Sequence, residues 1–257
     1  MSERTAQDTG NLYEDLSGYY DKFCAEVDYA EQCEFAERAF ACFATSSGRD
    51  YLDLACGTGQ HLLHMQRRGF SATGLDNSAH MLALAKERCP SAQLLLCDIA
   101  AFDQVAQFDL ITCFLYSIHY SHPTAAMQET LRCAWHALKP GGVFLFNAVD
   151  VGGIRNDKRV ITQLIDDDTH LRFESGWEYS GYGDVMDLFL LITKVSKSGS
   201  QSWRDHHTMT AVSLSQLRIM LEEIGFQVTL LEHDYGVMRP LAEGCFNTMV
   251  VASKPLR

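Results

Sequence analysis

Three aspartates and a pair of glycines carry the first chemistry in this sequence. Asp53 sits in the apolar run "YLDLA", Asp76 closes "SATGLD" and Asp98 closes "LLLCD". Gly57 and Gly59 occupy the small-residue turn "ACGTG" directly after the first run. A carboxylate inside an apolar strand is costly to bury unpaired, so Asp53 calls for a partner. Asp76 lies about 20 residues beyond the turn, where an acidic side chain can accept hydrogen bonds from ribose hydroxyls. Glycines permit unusual dihedrals and let a ligand come close to the backbone. Further along, His119 follows the apolar run "FDLITCFLY" and could act as a general base near its ordinary pKa. His122 is a weaker candidate. Tyr13, Tyr19 and Tyr20 in "NLYEDLSGYYDKF" could offer ring faces to a cationic group.

Regular elements must hold these residues. Residues 12–44 read as helical, with Leu12, Leu16, Tyr19, Tyr20 and Phe23 at helical spacing. After the break at Ser46-Ser47-Gly48, apolar strands alternate with helices: "YLDLA", "SATGLD", "AQLLLCD", "FDLITCFLY" and, after "KPGG", "VFLFNAV". Ser78 is placed to cap the helix that follows Asp76. Continuous apolar strands between helices predict a parallel sheet covered on both faces. Residues 151–212 change character and read as antiparallel strands with polar turns. Trp177, Tyr179, Tyr182 and the pair His206-His207 fall there, at positions suited to a lid over a cleft or to a sheet packing downward. The run Asp166-Asp167-Asp168 reads as a solvated turn, and no metal site is expected. "SLSQLRIMLEEIG" forms an amphipathic helix, and "FQVTLLEHD" and "CFNTMVVASK" return the chain to the main sheet.

Bulk properties narrow the ligand. The 257 residues carry a formal net charge of −12, which argues against a nucleic-acid partner and favours a small neutral or cationic substrate. The nine cysteines include no CxxC pair, as expected of reduced thiols in a cytoplasmic protein. No apolar run approaches the roughly 18 residues of a membrane helix, and the N-terminus is polar rather than a signal peptide. A strand–turn–helix corner of this kind could hold a dinucleotide, a nucleoside triphosphate or S-adenosylmethionine. The third glycine of G-x-G-x-x-G is missing after Gly59, and the Walker loop is absent.

Residues 48–150 resemble the core of class I S-adenosylmethionine-dependent methyltransferases. "LDLACGTG", "GLDNS", "CDI", "FDLITC" and "LKPGGVFLF" are similar to that family's five motifs, in order. "NLYEDLSGYYDKF" resembles the segment that precedes the core in small-molecule N-methyltransferases acting on amino sugars and on glycine. The resemblance implies an α/β fold: a doubly wound, seven-stranded, mostly parallel, Rossmann-like sheet with an antiparallel β insertion or lid. It implies one domain with a helical cap (1–47), a cofactor-binding core (48–150), the insertion (151–212) and a C-terminal helix with the last two strands (213–257).

It also implies site roles. Ala55, Gly57 and Gly59 should lie at the methionine end of the cofactor, with Asp53 orienting that end. Asp76 should bind the ribose, with Asn77 and Met81 along the adenosine. Asp98 should accept from the adenine amino group while Ile99 packs on the ring. Phe114 and Leu115 should bound the site, and Tyr13 should reach it from the N-terminal segment. His119 and Tyr20 are the expected catalytic residues. His119 comes one position before the histidine of the similar Ser-Ile-Gly-His run, and Tyr120 stands at that histidine's position.

The leading expectation is transfer of a methyl group from S-adenosylmethionine to a small-molecule amine. An O-methyltransferase with His119 as base, a cofactor-binding regulator or partner subunit without transferase activity, and a dinucleotide-dependent oxidoreductase remain alternatives. The oligomeric state is not legible. The missing N/D-P-P-Y/F motif argues further against a nucleic-acid base as acceptor.

Overall fold

Alternating apolar residues build the main sheet from its centre. In β2 (Asp50–Leu54), β5 (Phe108–Cys113) and β6 (Leu138–Val149), successive side chains enter opposite cores. Tyr51, Leu110, Val143 and Leu145 pack on one face with Phe35, Leu62 and Met65. Leu52, Ile111, Phe144 and Phe146 pack on the other with Leu131, Leu217 and Leu221. All six residues of β5 are buried, as a central parallel strand requires. The computed structural model of the chain describes residues 7–9, 12–13, 16–166 and 169–256.

The sheet is completed by β3 (Ser71–Asp76), β4 (Gln93–Leu96), β11 (Gln227–Glu232) and β12 (Asn247–Ser253), in the order β11-β12-β6-β5-β2-β3-β4. Only β12 runs against its neighbours. Helices α2 (Tyr29–Phe43), α3 (Gln60–Arg67), α4 (Ala79–Arg88), α5 (Thr124–Ala137) and α6 (Leu214–Ile224) cover the two faces. Ser78 caps α4, accepting from Met81 N at 3.2 Å, and Ser213 with Gln216 forms a capping box on α6. This is the expected α/β, doubly wound, mostly parallel sheet.

A second, five-stranded sheet rises from the end of β6. It comprises β7 (Val160–Asp166), β8 (Thr169–Tyr179), β9 (Val185–Ser196) and β10 (Gly199–Thr210), all antiparallel, with β1 (Gln7–Thr9) added parallel to β10. Two strands escape the sequence pattern. β1 has only 3 residues, and β7 is an edge strand whose Ile161 and Ile165 face outward, which blurs its alternation. Asp167 and Asp168 of the acidic run lie outside the described residues.

The region 12–44 is not one helical unit. A 3-10 turn at Ser17–Tyr19 leads into α1 (Tyr20–Phe23), and α2 starts afresh behind Asp28, whose carboxylate accepts from Glu31 N at 2.8 Å. Leu12 and Leu16 bury themselves on Leu171, Phe173, Leu190 and Ile192 of the five-stranded sheet. No helix among the described residues is long and apolar enough to cross a membrane. All nine cysteines are free, and five of them are buried.

Candidate active site

The carboxyl ends of β2, β3 and β5 open into a cavity of about 770 Å³, roofed by the second sheet and the N-terminal segment. The chain leaves β2 and β5 in a strained way. Ala55 (φ 57°), Leu115 (φ 54°) and Tyr116 (φ 61°) are left-handed without being glycine, and all three line the cavity. Such residues cost on the order of 1–3 kcal/mol each and cluster where a backbone must be aimed at a ligand.

Asp76 organises the turn. Its Oδ2 accepts from Gly57 N and its Oδ1 from Ser78 N, each at 2.8 Å, and the residue lines the cavity. Burial raises its pKa, and the backbone bonds from Ser78 and Gly57 oppose this. Asn77, Asp98 and Ile99 line the same cavity, as do Tyr13, Tyr20, Gly57 and Leu115. Asp98 Oδ1 is held by Ala100 N at 2.7 Å.

Asp53 opens on an adjoining small recess shared with Phe114, Ala55 and Tyr20. Its Oδ1 accepts from Thr112 Oγ1 at 2.7 Å, and Tyr51 supports that threonine at 2.6 Å. Its Oδ2 is buried with no hydrogen bond. His61 Nδ1 lies 3.6 Å from that oxygen. Burial pushes the Asp53 carboxyl up to about 7 and His61 down to about 3, so the contact is not an ion pair near neutral pH. His61 Nε2 is instead paired with Gln32 Oε1 at 2.8 Å.

Three expected residues are elsewhere. His119 is fully buried; its Nδ1–H donates to Thr210 O at 2.9 Å and its Nε2 accepts from Val149 N at 3.1 Å. Both ring nitrogens are committed, burial pushes the pKa down to about 4, and the ring does not line the cavity. It pins the loop after β5 to β6 and β10, which corrects the expectation of a base. Gly59 (φ 81°) stands at the start of α3; a Cβ there would meet Ala85 Cβ at 3.1 Å, so its smallness serves helix packing. Met81 is fully buried and does not reach the cavity wall.

The N-terminal segment is clasped to the core rather than resting loose on it. Ser78 Oγ donates to Tyr13 O at 2.6 Å, and Asp21 bridges Thr58 Oγ1 and Arg88 Nη2, both at 2.6 Å. Tyr19 packs on Trp203 at 5.6 Å instead of facing the cavity.

Sequence reasoning missed a hydrogen-bonded row that runs from the cavity wall into the second sheet. Tyr13 Oη lies 2.7 Å from Tyr120 Oη, Tyr120 Oη 2.7 Å from His207 Nδ1, and His207 Nε2 2.8 Å from Asp205 Oδ2. Asp205 Oδ2 also accepts from Leu12 N at 2.7 Å. Burial tends to raise the Asp205 carboxyl, yet the bonds from His207 and Leu12 hold it below its ordinary value. The one signal in the sequence was Tyr120 standing where the similar run has histidine. Of the aromatic residues on the insertion, Trp177 lines the cavity and Tyr182 is 79% exposed. Arg155, Lys158 and Arg159, at the start of the insertion, line it as well.

Residues 52–142 match the methyltransferase domain family. The chain is 24% identical over 241 residues to the putative methyltransferase YqeM of Bacillus subtilis (strain 168), covering 90% of this chain and 93% of that one. It is 40% identical over 93 residues to a dTDP-3-amino-3,6-dideoxy-alpha-D-glucopyranose N,N-dimethyltransferase of Streptomyces fradiae, a match covering 36% of either chain. Its fold is similar to that of the sugar N-methyltransferase KedS8 from Streptoalloteichus sp ATCC 53650, with a TM-score of 0.81, 20% identity and 99% of each chain covered.

Proposed function

We propose that the chain is an S-adenosylmethionine-dependent methyltransferase whose acceptor is the amine of a nucleotide-activated amino sugar, bound with the cofactor in the cavity at the carboxyl ends of β2, β3 and β5. The residues present fit the cofactor. Asp76 has two of its lone-pair directions on Gly57 N and Ser78 N, which leaves two for ribose hydroxyls. Asp98 and Ile99 offer an acceptor and an apolar face to an adenine ring. The unbonded Oδ2 of Asp53, in the adjoining recess, suits the ammonium of the methionine end. Ala55 and Gly57 leave the backbone bare beside it, and Phe114 and Leu115 bound the recess.

When bound, the cofactor supplies a methyl group on a sulfonium, already activated for displacement. The chain must bring the amine in line with that methyl and keep water out. Tyr13, Tyr20 and Tyr120 line the cavity together, with Tyr13 and Tyr20 centroids 5.7 Å apart, and rings so placed favour a nearby cation. Residues 151–212 then act as the acceptor-side wall.

The observation that carries the acceptor class is that the same cavity is lined by Asp76 and Asp98 and by Arg155, Lys158 and Arg159. Arg159 is paired with Glu178 at 2.7 Å, whereas Arg155 and Lys158 make no ion pair among the described residues. Two unneutralised cations beside the cavity suit a diphosphate. The Streptomyces fradiae relative is described as acting on such a dTDP-linked amino sugar. Nine free cysteines suit a reducing compartment, so the reading places the enzyme in the cytoplasm.

The test is transfer of labelled methyl to dTDP-3-amino-3,6-dideoxy-α-D-glucopyranose and to its 3-hydroxyl counterpart. Label on the amine alone is expected. Label on the hydroxyl would make this an O-methyltransferase, and label on neither, with cofactor bound, would overturn the acceptor class.

A further inference from the structure

Alternation along β10 sorts its charged residues between two faces. Asp205 and His207 point toward Tyr13 and Tyr120, while His206 turns to the other side, 3.6 Å from Asp187. His207 Nε2–H donates to Asp205, which leaves the Nδ1 lone pair facing Tyr120 Oη. Tyr120 therefore donates to His207 and accepts from Tyr13, which leaves its oxygen one further lone pair on a residue that lines the cavity. This is the arrangement of an oriented base with a hydroxyl placed between it and the ligand.

We propose that Tyr120, His207 and Asp205 form a proton relay that deprotonates the acceptor's amine. The inference rests on the amine reading above. As the amine nitrogen bonds to the methyl carbon, the C–S bond breaks with its electron pair going to sulfur, and the nitrogen is left with a proton to lose. That proton passes to Tyr120 Oη while the tyrosine's own proton passes to His207 Nδ1. The resulting imidazolium lies against the Asp205 carboxylate, and the proton leaves to solvent at the imidazole edge, whose side chain is 10% exposed. Tyr120 is the catalytic residue, and His207 and Asp205 act through it. The relay supplies from the insertion the base that His119 cannot be.

Tyr13 and Tyr120 are pushed up by burial, Cys24 is raised to about 11 by burial, and Asp205 is held low. The phenols flanking His207 are therefore neutral hydroxyls, able to take up one proton as they pass on another.

The experiment compares wild type, Tyr120→Phe, His207→Asn and the double variant, with dTDP-3-amino-3,6-dideoxy-α-D-glucopyranose as acceptor. Calorimetry with S-adenosylhomocysteine checks that each variant keeps its fold and cofactor site. Each single variant is expected to lose roughly 10²-fold in kcat. The double variant should lose no more than either single one, and KM for the acceptor should stay unchanged in His207→Asn. Wild-type kcat in His207→Asn, or a loss confined to KM, would overturn the relay. So would losses that multiply in the double variant. A wild type that binds S-adenosylhomocysteine yet leaves this amine unmethylated would overturn the acceptor class and the relay with it.

Discussion

Asp76 both shapes the glycine turn and lines the cavity, so in the proposed function its carboxylate holds the cofactor ribose. Each hydrogen bond to a charged acceptor is worth about 1.5–3 kcal/mol. Asp76→Ala should therefore weaken S-adenosylmethionine binding by about 10²-fold or more in calorimetry, and an unchanged dissociation constant would exclude Asp76 from the site. Asp53 makes a pH-dependent prediction. Its carboxyl is raised from 3.8 to about 7, so its contribution to folding is present below pH 4 and is lost as pH rises through 7. Above that, the ligand-free protein carries a buried, half-bonded carboxylate, at a cost of up to about 4 kcal/mol. Asp53→Asn should thus raise the melting temperature at pH 8, flatten its decline between pH 5 and 8, and weaken cofactor binding. A melting temperature unchanged at pH 8 would contradict the burial argument. His119→Ala should lower stability instead of acting on turnover alone, because Thr210 O and Val149 N both lose their partner.

At the scale of elements, the N-terminal segment joins two bodies. Its β1 pairs with β10, its Leu12 and Leu16 pack on the second sheet, and Asp21 and Tyr13 hold it to the turns of the main sheet. An opening of this segment would therefore break contacts with the second sheet as well as with the core. Residues 12–23 and β10 should gain hydrogen-exchange protection together when S-adenosylhomocysteine binds. Protection confined to residues 12–23, or none in either element, would contradict the coupling. The β2–turn–α3 and β3–α4 units were legible because each strand, cap and turn lies within a short stretch of chain. The single helical reading of 12–44 failed because Leu12 and Leu16 answer to the distant second sheet rather than to helical spacing. His119 was misread because sequence does not say which way a one-turn helix presents its imidazole. The row from Tyr13 to Asp205 was invisible for a similar reason: Tyr120 and His207 are 87 residues apart and meet only through the register of β10.

Across the whole molecule, net charge and the charge beside the cavity differ in sign. The formal −12 favoured a neutral or cationic substrate, yet the residues at the start of the insertion set Arg155 and Lys158 beside the cavity. If these read a diphosphate, Arg155→Glu with Lys158→Glu should raise KM for a dTDP-linked acceptor at least tenfold and leave cofactor affinity unchanged. Equal KM values would remove the diphosphate from the account. The most direct measurement is a crystal structure of the ternary complex with S-adenosylhomocysteine and dTDP-3-amino-3,6-dideoxy-α-D-glucopyranose. The account predicts the adenosine along Asp76, Asp98 and Ile99, the diphosphate beside Arg155 and Lys158, and the amine near Tyr120, about 3–3.5 Å from where the methyl carbon would stand. A cofactor product bound away from the Gly57 turn, or an acceptor amine turned away from its sulfur, would contradict it.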